Sequence, residues 1–563
     1  MRPTAWLLLL ALGPALAGTI GVDELRPGMT GYGLSVFDAS GIIDTFRVEL
    51  VDVMRNTSPG GDMILCRLAG QGLEHSGIVA GMSGSPVYFD GRLAGALAYG
   101  WSFSKDPLGG VTPIAEMLAV LREPDAPAGR SPRSSIAHPQ SAIRSQPLTI
   151  PLPLGISGSA PGLLRLAGSL LDGSGLVPVA AGRADAGRAG APGFRPGSPV
   201  GVLLADGDVR YAATGTVTWV EGDRLLAFGH PMFQAGAVAL PMSGADVHAV
   251  VPSYASSFKL ASTGPPVGTI RQDRLPAVSG VVGPVPPMLP VRVRLDRPGF
   301  RREYNFRLAE FPPLLPVFAA LGVAEVVYAT EGGAEEMTLE ARVRVKPAGR
   351  PGVAFRHVFT GLAPADLLAR SVMEKLALLT DNRFEPVRLE SLDFALELRP
   401  GRRRVTVTGV LPGRTTVVPG DSLPLYLELR DQDGRVSSRR VTVRIPAAAP
   451  AGRLTLSVSS ADTFLLRESY RAPGTVEPAG LDALLRLLGR VGDEDVLVIA
   501  GYSGAPGLSV GGKELPAPPP TLRRLLGSGR RGRQVGESRL FADRLPLGAV
   551  VAGSHEIVLE VRK

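Results

Sequence analysis

Hydrophobic and polar residues alternate in short runs along most of the chain, which is typical of half-buried β-strands. In the N-terminal part such runs occupy residues 46–53, 63–68 and 92–99. Apolar residues recur at helical spacing in residues 365–379, and residues 114–121 are expected to form a second, shorter helix. The chain is therefore expected to be mainly β.

The alternation is most regular after residue 401. The runs there are 404–408, 423–429, 440–445 and 454–458. Evenly spaced strands separated by turns indicate an antiparallel β-sandwich, which we assign to residues 401–475. Residues 476–563 are expected to form a further β-rich module, and residues 284–400 a mixed α/β region.

Residues 1–17 have the layout of a secretory signal peptide. Arg2 precedes an apolar run at residues 5–12, and Ala15 and Ala17 supply the small side chains of a cleavage site. The run is too short to span about 30 Å of hydrocarbon, although an uncleaved anchor is the alternative. No later stretch is both long and free of charges. We expect an exported protein of the periplasm, cell envelope or extracellular space, with no stable membrane span after cleavage.

The composition excludes several classes of protein. Hydrophobic residues make up 45% of the 563 residues, which is enough for buried cores and excludes a disordered chain. The net charge of +8 is carried mainly by scattered Arg, so nucleic-acid binding is not expected. The single cysteine, Cys66, lies in an apolar run and is expected to be buried and inert. No spacing of Cys and His suits a metal and no Gly-rich loop suits a phosphate, so no cofactor is expected.

Candidate chemistry begins with a serine in a Gly-rich segment. Residues 77–88 read GIVAGMSGSPVY, and DGRLAGA follows at residues 90–96. The glycines around Ser83 permit a sharp bend, and they let the N–H groups of Gly81 and Ser83 approach a reacting carbonyl as an oxyanion hole. The short turn alone is equally consistent with an ordinary hairpin. A second turn of this kind, GYSGAP at residues 501–506, lacks these flanks and is interpreted as a loop.

The longer segment resembles the sporulation stage IV B serine peptidase family. The serine motif of that family reads GGIVxGMSGSP and continues through a short hairpin and an Asp-Pro…Gly segment. Residues 77–86, 90–96 and 106–110 follow it in register. The resemblance implies a serine endopeptidase with a protein substrate, in which Ser83 is the nucleophile.

A serine hydroxyl needs a base within hydrogen-bond reach, and the chain contains six His. Residues 215–230, GTVTWVEGDRLLAFGH, resemble the histidine motif of the same family. The resemblance implies that His230 is the general base. The remaining candidates lie outside such a motif: His75, His138, His248, His357 and His555.

The two motifs occur in the opposite order to the sporulation peptidases, because Ser83 precedes His230 here. Triads tolerate any chain order, since geometry defines them. We therefore expect a trypsin-like domain of two β-barrel halves in permuted order, followed by β-rich accessory domains. The serine half is assigned to residues 18–122, a Pro/Ser/Arg-rich linker to residues 123–146 and the histidine half to residues 147–283.

The third member of a triad is open from the sequence. A carboxylate should accept the Nδ1–H of the imidazole, and we assign this role to Asp273. Asp246 and Asp223 are closer to His230 along the chain. No acid stands shortly before the serine motif, where the family can carry one, so a Ser–His dyad is the alternative.

These observations predict an exported serine endopeptidase that acts on a cell-envelope or extracellular protein, with self-processing as an option. The alternative is a catalytically inactive relative that binds an envelope partner through its C-terminal β modules. The distance from Ser83 Oγ to His230 Nε2 discriminates between them. A general base needs about 2.6–3.2 Å, and a separation beyond roughly 6 Å would favour the inactive relative.

Overall fold

The computed structural model describes residues 18–58, 61–101, 103–125, 148–184, 193–331, 336–473, 477–489, 492–510, 513–516, 518–527 and 532–562. The predicted signal peptide and most of the predicted linker therefore lie outside the described residues. The chain divides into two compact units. The first comprises Met1–Leu289 and Phe306–Gly322, and the second comprises Pro290–Asn305 and Val323–Lys563.

The N-terminal part of the first unit contains a closed six-stranded β-barrel. The first eight strands of the chain are β1 (Thr30–Ser35), β2 (Asp44–Ser58), β3 (Gly61–Ala69), β4 (Val79–Ala80), β5 (Pro86–Phe89), β6 (Arg92–Gly100), β7 (Leu108–Pro113) and β8 (Leu148–Thr149). Neighbours pair in the order β5-β1-β2-β3-β7-β6, and β6 also pairs with β5, which closes the barrel. Two short helices, α1 (Leu73–Ser76) and α2 (Ile114–Ala119), follow β3 and β7.

The apolar residues of the alternating pattern lie on the inner face of this barrel. Phe46, Val48 and Leu50 of β2 are at most 1% exposed, and they belong to one hydrophobic cluster with Cys66. The register of β2 against β3 shifts just after Leu50, where the alternation of the sequence also slips. The prediction of a buried cysteine is confirmed, and burial raises the pKa of the Cys66 thiol, so the thiolate is disfavoured.

A second sheet of the first unit follows the predicted linker. Its strands are β9 (Leu152–Ile156), β10 (Leu176–Ala180), β11 (Pro199–Gly207), β12 (Tyr211–Glu221), β13 (Arg224–Ala227), β14 (Gly236–Val251), β15 (Ser257–Arg274) and β16 (Ala277–Val282). Six of them pair in the order β12-β13-β16-β15-β14-β11, and β11 pairs back to β12. The short strand β4 pairs in parallel with the start of β15, which brings the serine segment to this sheet. The helix α3 (Pro161–Leu170) lies between β9 and β10 in the chain.

The second unit begins with a mixed α/β region. Its elements are β17 (Met288–Arg297), β18 (Phe300–Ala309), α4 (Leu315–Glu331), β19 (Met337–Pro347), β20 (Val353–Gly361), α5 (Pro364–Thr380) and β21 (Leu389–Pro400), of which β17, β18 and α4 also extend into the first unit. The predicted helix at residues 365–379 is confirmed as α5. The long helix α4 was not predicted, because its own residues are apolar on nearly every face. Its sequence therefore shows no amphipathic period. No described helix is long and apolar enough to cross a membrane.

Two further sheets make up most of the C-terminal part. The elements are β22 (Arg404–Pro412), β23 (Thr416–Val417), β24 (Ser422–Asp431), β25 (Val436–Arg444), β26 (Gly452–Ser460), α6 (Ala461–Arg471), α7 (Leu481–Leu488), β27 (Val496–Ser503), β28 (Gly507–Val510), β29 (Lys513–Leu515), α8 (Pro520–Gly527), β30 (Gly532–Val535), β31 (Ser538–Pro546), β32 (Val550–Ala552) and β33 (Ser554–Val561). One sheet has the order β25-β24-β22-β32 and the other β23-β33-β26-β27-β31. Each sheet thus combines strands from both sides of residue 476. The mainly β prediction is confirmed.

Candidate active site

Ser83 lies in the turn between β4 and β5, which we call the serine loop (residues 81–85). The loop bends sharply because Gly81 and Gly84 have φ values of 95° and 94°, in the left-handed region that favours glycine. The N–H of Ser85 donates to the carbonyl of Met82, and that of Gly84 donates to the carbonyl of Leu97, both at 2.8 Å. The loop is therefore fixed to itself and to β6.

Strand β12 holds the serine loop from the other side. The N–H of Thr216 donates to the carbonyl of Ser83 at 2.8 Å, and its Oγ1 donates to the carbonyl of Gly81 at 2.9 Å. The Thr218 hydroxyl donates to the carbonyl of Gly84 at 2.7 Å. The contact is so close that a Cβ atom on Gly84 would lie 2.0 Å from the carbonyl oxygen of Thr216. The GTVT part of the histidine motif thus positions the serine motif, a role that the sequence analysis missed.

His230 follows β13 through two residues in the left-handed region, Phe228 and Gly229, with φ values of 70° and 69°. The carbonyl of Gly229 accepts a hydrogen bond from the Thr112 hydroxyl at 2.5 Å, which ties the histidine segment to β7 of the barrel. The His230 side chain is buried. The sharp bend turns its imidazole towards the serine loop.

The structure brings Ser83 and His230 together. The distance from His230 Nε2 to Ser83 Oγ is 2.8 Å. The other ring nitrogen, Nδ1, lies 2.8 Å from the carbonyl oxygen of Pro231. A carbonyl can only accept, so Nδ1 carries the hydrogen, and Nε2 of the neutral ring accepts from the Ser83 hydroxyl. This tautomer is the one that a general base requires.

Burial sets the charge state of the imidazole. It lowers the pKa of His230 to about 4, and the carbonyls of Pro231 and Ile150, which favour the protonated ring, only partly oppose it. The ring is therefore neutral at pH 7. Ser83 is fully buried, and the carbonyl oxygen of Ile150 lies 3.5 Å from its Oγ.

Asp273 is close to His230 in the fold, but its carboxylate is bound elsewhere. Oδ1 accepts from the N–H of Met232 at 2.7 Å, and Oδ2 accepts from those of Phe233 and Ala235 at 2.8 and 3.2 Å. Burial raises the pKa of the Asp273 carboxyl, and these N–H donors oppose that effect. The partner of Nδ1 is thus the Pro231 carbonyl, and Asp273 anchors the turn that carries this carbonyl.

The other sequence candidates lie apart from this pair. Asp223 lies in the turn between β12 and β13, and Asp246 lies in β14 opposite Ser262. The described histidines other than His230 are bonded elsewhere or belong to other elements: His75 in α1, His248 bonded to Ser262, His357 bonded to Glu494 and His555 bonded to the carbonyl of Val407. His138 lies outside the described residues.

A buried lysine behind the serine loop was missed by the sequence analysis. Lys259 is 2% exposed, and its Nζ donates to Ser35 Oγ at 2.7 Å. Ser35 Oγ also accepts from Ser85 Oγ at 3.1 Å. Burial lowers the pKa of Lys259 to about 7. The sequence does contain one sign of this burial, because the charged Lys259 stands between the apolar residues Phe258 and Leu260.

Lys259→Met is expected to stabilise the protein at pH 6 by an amount on the order of a few kcal/mol. The pKa of Lys259 in the folded protein, about 7, lies below the 10.5 of an ordinary solvated lysine, so between these values the unfolded chain binds more protons. Stability of the unmodified protein therefore rises with pH through this window and is lowest below it. Urea unfolding at pH 6, 8 and 10 measures the effect, with exposed Lys105→Met as the control. If the stability of Lys259→Met still rose with pH through this window, the rise could not be attributed to Lys259.

Residues 31–118 match the family model described as SpoIVB peptidase S55. This confirms the family that the serine motif resembles, and it supports a serine peptidase and hence a hydrolase. The matched range includes Ser83 and the six strands of the closed barrel, except for Thr30 at the start of β1, but not His230. No curated protein and no solved structure matches the chain.

Proposed function

We propose that this protein is an exported serine endopeptidase with Ser83 as the nucleophile and His230 as the general base. The observation that carries the proposal is the 2.8 Å hydrogen bond from Ser83 Oγ to His230 Nε2, in the tautomer that the Pro231 carbonyl imposes. The rival interpretation, an inactive binding protein, predicted a separated pair and is not favoured by this geometry.

In the proposed reaction, Ser83 Oγ attacks the carbonyl carbon of the scissile bond while His230 Nε2 accepts the hydroxyl proton. The proton then passes from Nε2 to the leaving amine, and an acyl-enzyme on Ser83 remains for water to hydrolyse. The imidazolium that forms between these steps is stabilised through Nδ1–H by the carbonyl of Pro231. Asp273 contributes by holding the turn that presents this carbonyl, so the arrangement is a Ser–His dyad with a positioned carbonyl.

We assign the oxyanion hole to the N–H groups of Gly81 and Ser83. The N–H groups of Met82, Gly84 and Ser85 already donate to carbonyls of the protein and are excluded from this role. Removing one donor from an oxyanion hole costs about 2.7–4 kcal/mol of transition-state stabilisation. The loop geometry that Thr216 and Thr218 maintain is therefore part of the proposed machinery.

The proposed architecture is a pair of trypsin-like halves in permuted order. Two sets of six strands, in each of which the last strand pairs back to the first, support this architecture. The first set lies before the predicted linker and the second set lies after it. Ser83 follows the short strand β4, which pairs with β15 of the second set, and His230 lies in the connection between β13 and β14 of that set. The substrate would be an envelope or extracellular protein, and the two C-terminal sheets are proposed to contact an envelope partner.

Labelling with a fluorophosphonate tests the assignment of the nucleophile. We expect one covalent adduct on the full chain, mapped to Ser83 by peptide mass spectrometry, because only a serine with a neighbouring base attacks the probe. Ser503, in the second Gly/Ser turn, is the internal control and should stay unlabelled, since the partner of its Oγ is the N–H of Ala505 and not an imidazole. The proposal would be refuted if Ser83 stayed unlabelled both in the unmodified chain and in a folded Ile150→Asp variant, which changes the residue whose carbonyl lies 3.5 Å from Ser83 Oγ.

A further inference from the structure

The residues that cover Ser83 belong to the chain itself. Strand β8 and Ile150, together residues 148–150, lie along the end of β6. We call them the cover segment. The segment stands at the C-terminal side of the predicted linker, and its backbone has a defined register on the barrel. It is one of several elements that pack around the fully buried Ser83.

The cover segment is bound as an extended peptide would be. It pairs antiparallel with β6, with Thr149 opposite Tyr99 and Leu148 opposite Gly100. The N–H of Ile150 donates to the carbonyl of Ala98 at 2.9 Å. Addition of an extended strand to a sheet edge is a general way to bind peptides, in which backbone bonds provide affinity and side-chain pockets provide specificity.

The carbonyl of Ile150 lies at the proposed reacting atoms. Its oxygen is 3.5 Å from Ser83 Oγ, and it also favours the protonated imidazole of His230. The Ile150 side chain is 3% exposed and belongs to the hydrophobic cluster of the barrel, together with Met82 and Leu97. Ile150 thus presents its carbonyl to the proposed reacting atoms and packs its side chain into the barrel.

The segment is placed to block the site and not to be cleaved there. The Ile150 oxygen faces the Ser83 hydroxyl, whereas attack would require it to accept from the proposed oxyanion-hole donors and to expose its carbon to Oγ. The next residue is Pro151, so the leaving nitrogen would be the tertiary nitrogen of an X–Pro bond. Both features favour a resting complex.

We propose that residues 148–150 are an internal inhibitory segment that takes the place of a substrate strand along the end of β6, beside Ser83, and that the substrate is an extended peptide with an aliphatic residue before the scissile bond. This inference rests on the proposed function, because it assigns the substrate-binding position beside the same Ser83. Displacement of the cover segment then precedes substrate binding. The apolar surroundings of Ile150 specify the aliphatic side chain, since a charged group there would be buried without a partner.

A reversible disulfide tests the inhibition. Tyr99 and Thr149 form a non-hydrogen-bonded antiparallel pair, the arrangement in which facing side chains are closest, so a Tyr99→Cys/Thr149→Cys variant can lock the cover segment. The native Cys66 is buried and does not interfere. We expect the fluorophosphonate to label Ser83 at least about tenfold faster in the reduced than in the oxidised state of this one variant, because labelling requires the segment to leave.

A second arm tests the specificity and guards against misfolding. N-acetyl-Leu-Thr-Ile aldehyde should protect Ser83 of the reduced variant from the probe, at a concentration at least about tenfold below that of N-acetyl-Leu-Thr-Asp aldehyde. Equal labelling in both redox states would overturn the inhibitory segment, and equal protection by both aldehydes would overturn the aliphatic preference. Either result leaves the proposed function standing if Ser83 is labelled. If Ser83 is unlabelled even in an Ile150→Asp variant that folds, the proposed function fails, and the inference fails with it.

Discussion

Replacement of Ser83 by alanine is expected to lower kcat for peptide hydrolysis by about 10⁴- to 10⁶-fold, because the acyl-enzyme no longer forms. His230→Ala should cause a loss of similar size, since the hydroxyl then has no base. The double variant should be no slower than either single variant, because the two residues act as one unit. The assay measures cleavage of a peptide with Ile before the scissile bond, in the reduced state of the Tyr99→Cys/Thr149→Cys variant, in which no disulfide holds the cover segment.

The matched control for this experiment is Ser503→Ala. Ser503 stands in the other Gly/Ser turn, in β27 of the second unit, far along the chain from the site. Its replacement should leave kcat within about twofold, as for a change away from the reacting groups. Unchanged hydrolysis by Ser83→Ala would show that another group is the nucleophile. Additive losses in the double variant would show that Ser83 and His230 do not form one catalytic unit.

The sequence predicted the two residues at the centre of the proposed site, Ser83 and His230, because their motifs are local. The bend at Ser83 needs glycines within two residues on either side, and the bend before His230 needs a glycine directly before it. Such requirements leave a trace in consecutive residues. The strands of the barrel could also be predicted, since the alternation in β2 and β3 reflects one buried face.

The rest of the site depends on contacts between distant parts of the chain. Thr216 reaches the carbonyls of Gly81 and Ser83 across more than 130 residues, and the cover segment reaches Ser83 across 67. The pairing in the C-terminal sheets could not be predicted for the same reason. Strand β22 pairs with β32, and β26 pairs with β33, which are distant along the chain. Periodicity reveals that a strand has a buried face, but it does not reveal its neighbours.

Asp273 illustrates why sequence reasoning left the triad open. An acid in the same half of the domain as the base can form an ion pair with the imidazole, and the burial of Asp273 is consistent with that role. Its two oxygens instead accept from three N–H groups of the turn after His230. Backbone donors carry no sequence signal, so nothing in the residues distinguishes a carboxylate that orients a ring from one that anchors a turn.

Asp273→Ala is expected to lower the free energy of unfolding by about 3 kcal/mol, because two buried N–H donors and one half-buried N–H donor lose their acceptor. It should also lower kcat by about 10²-fold, since the turn that presents the Pro231 carbonyl, and with it the His230 ring, is no longer fixed. Urea unfolding and the peptide assay measure the two effects. Asp246→Ala, which changes an acid of the neighbouring strand β14, serves as the control.

The conservative variant Asp273→Asn distinguishes a carboxylate that anchors the turn from a carboxylate that acts as the third member of a triad. Its amide oxygen still accepts N–H bonds of the turn, and Pro231 still fixes the imidazole tautomer, so kcat should stay within about tenfold of the unmodified enzyme. A triad carboxylate behaves differently, because Asn in its place imposes the wrong tautomer and lowers kcat by about 10⁴-fold. A loss of that size in Asp273→Asn would make Asp273 the third catalytic residue, and partial rescue relative to alanine would make it an anchor. Because the carbonyl of Pro231 already occupies Nδ1, we expect the rescue.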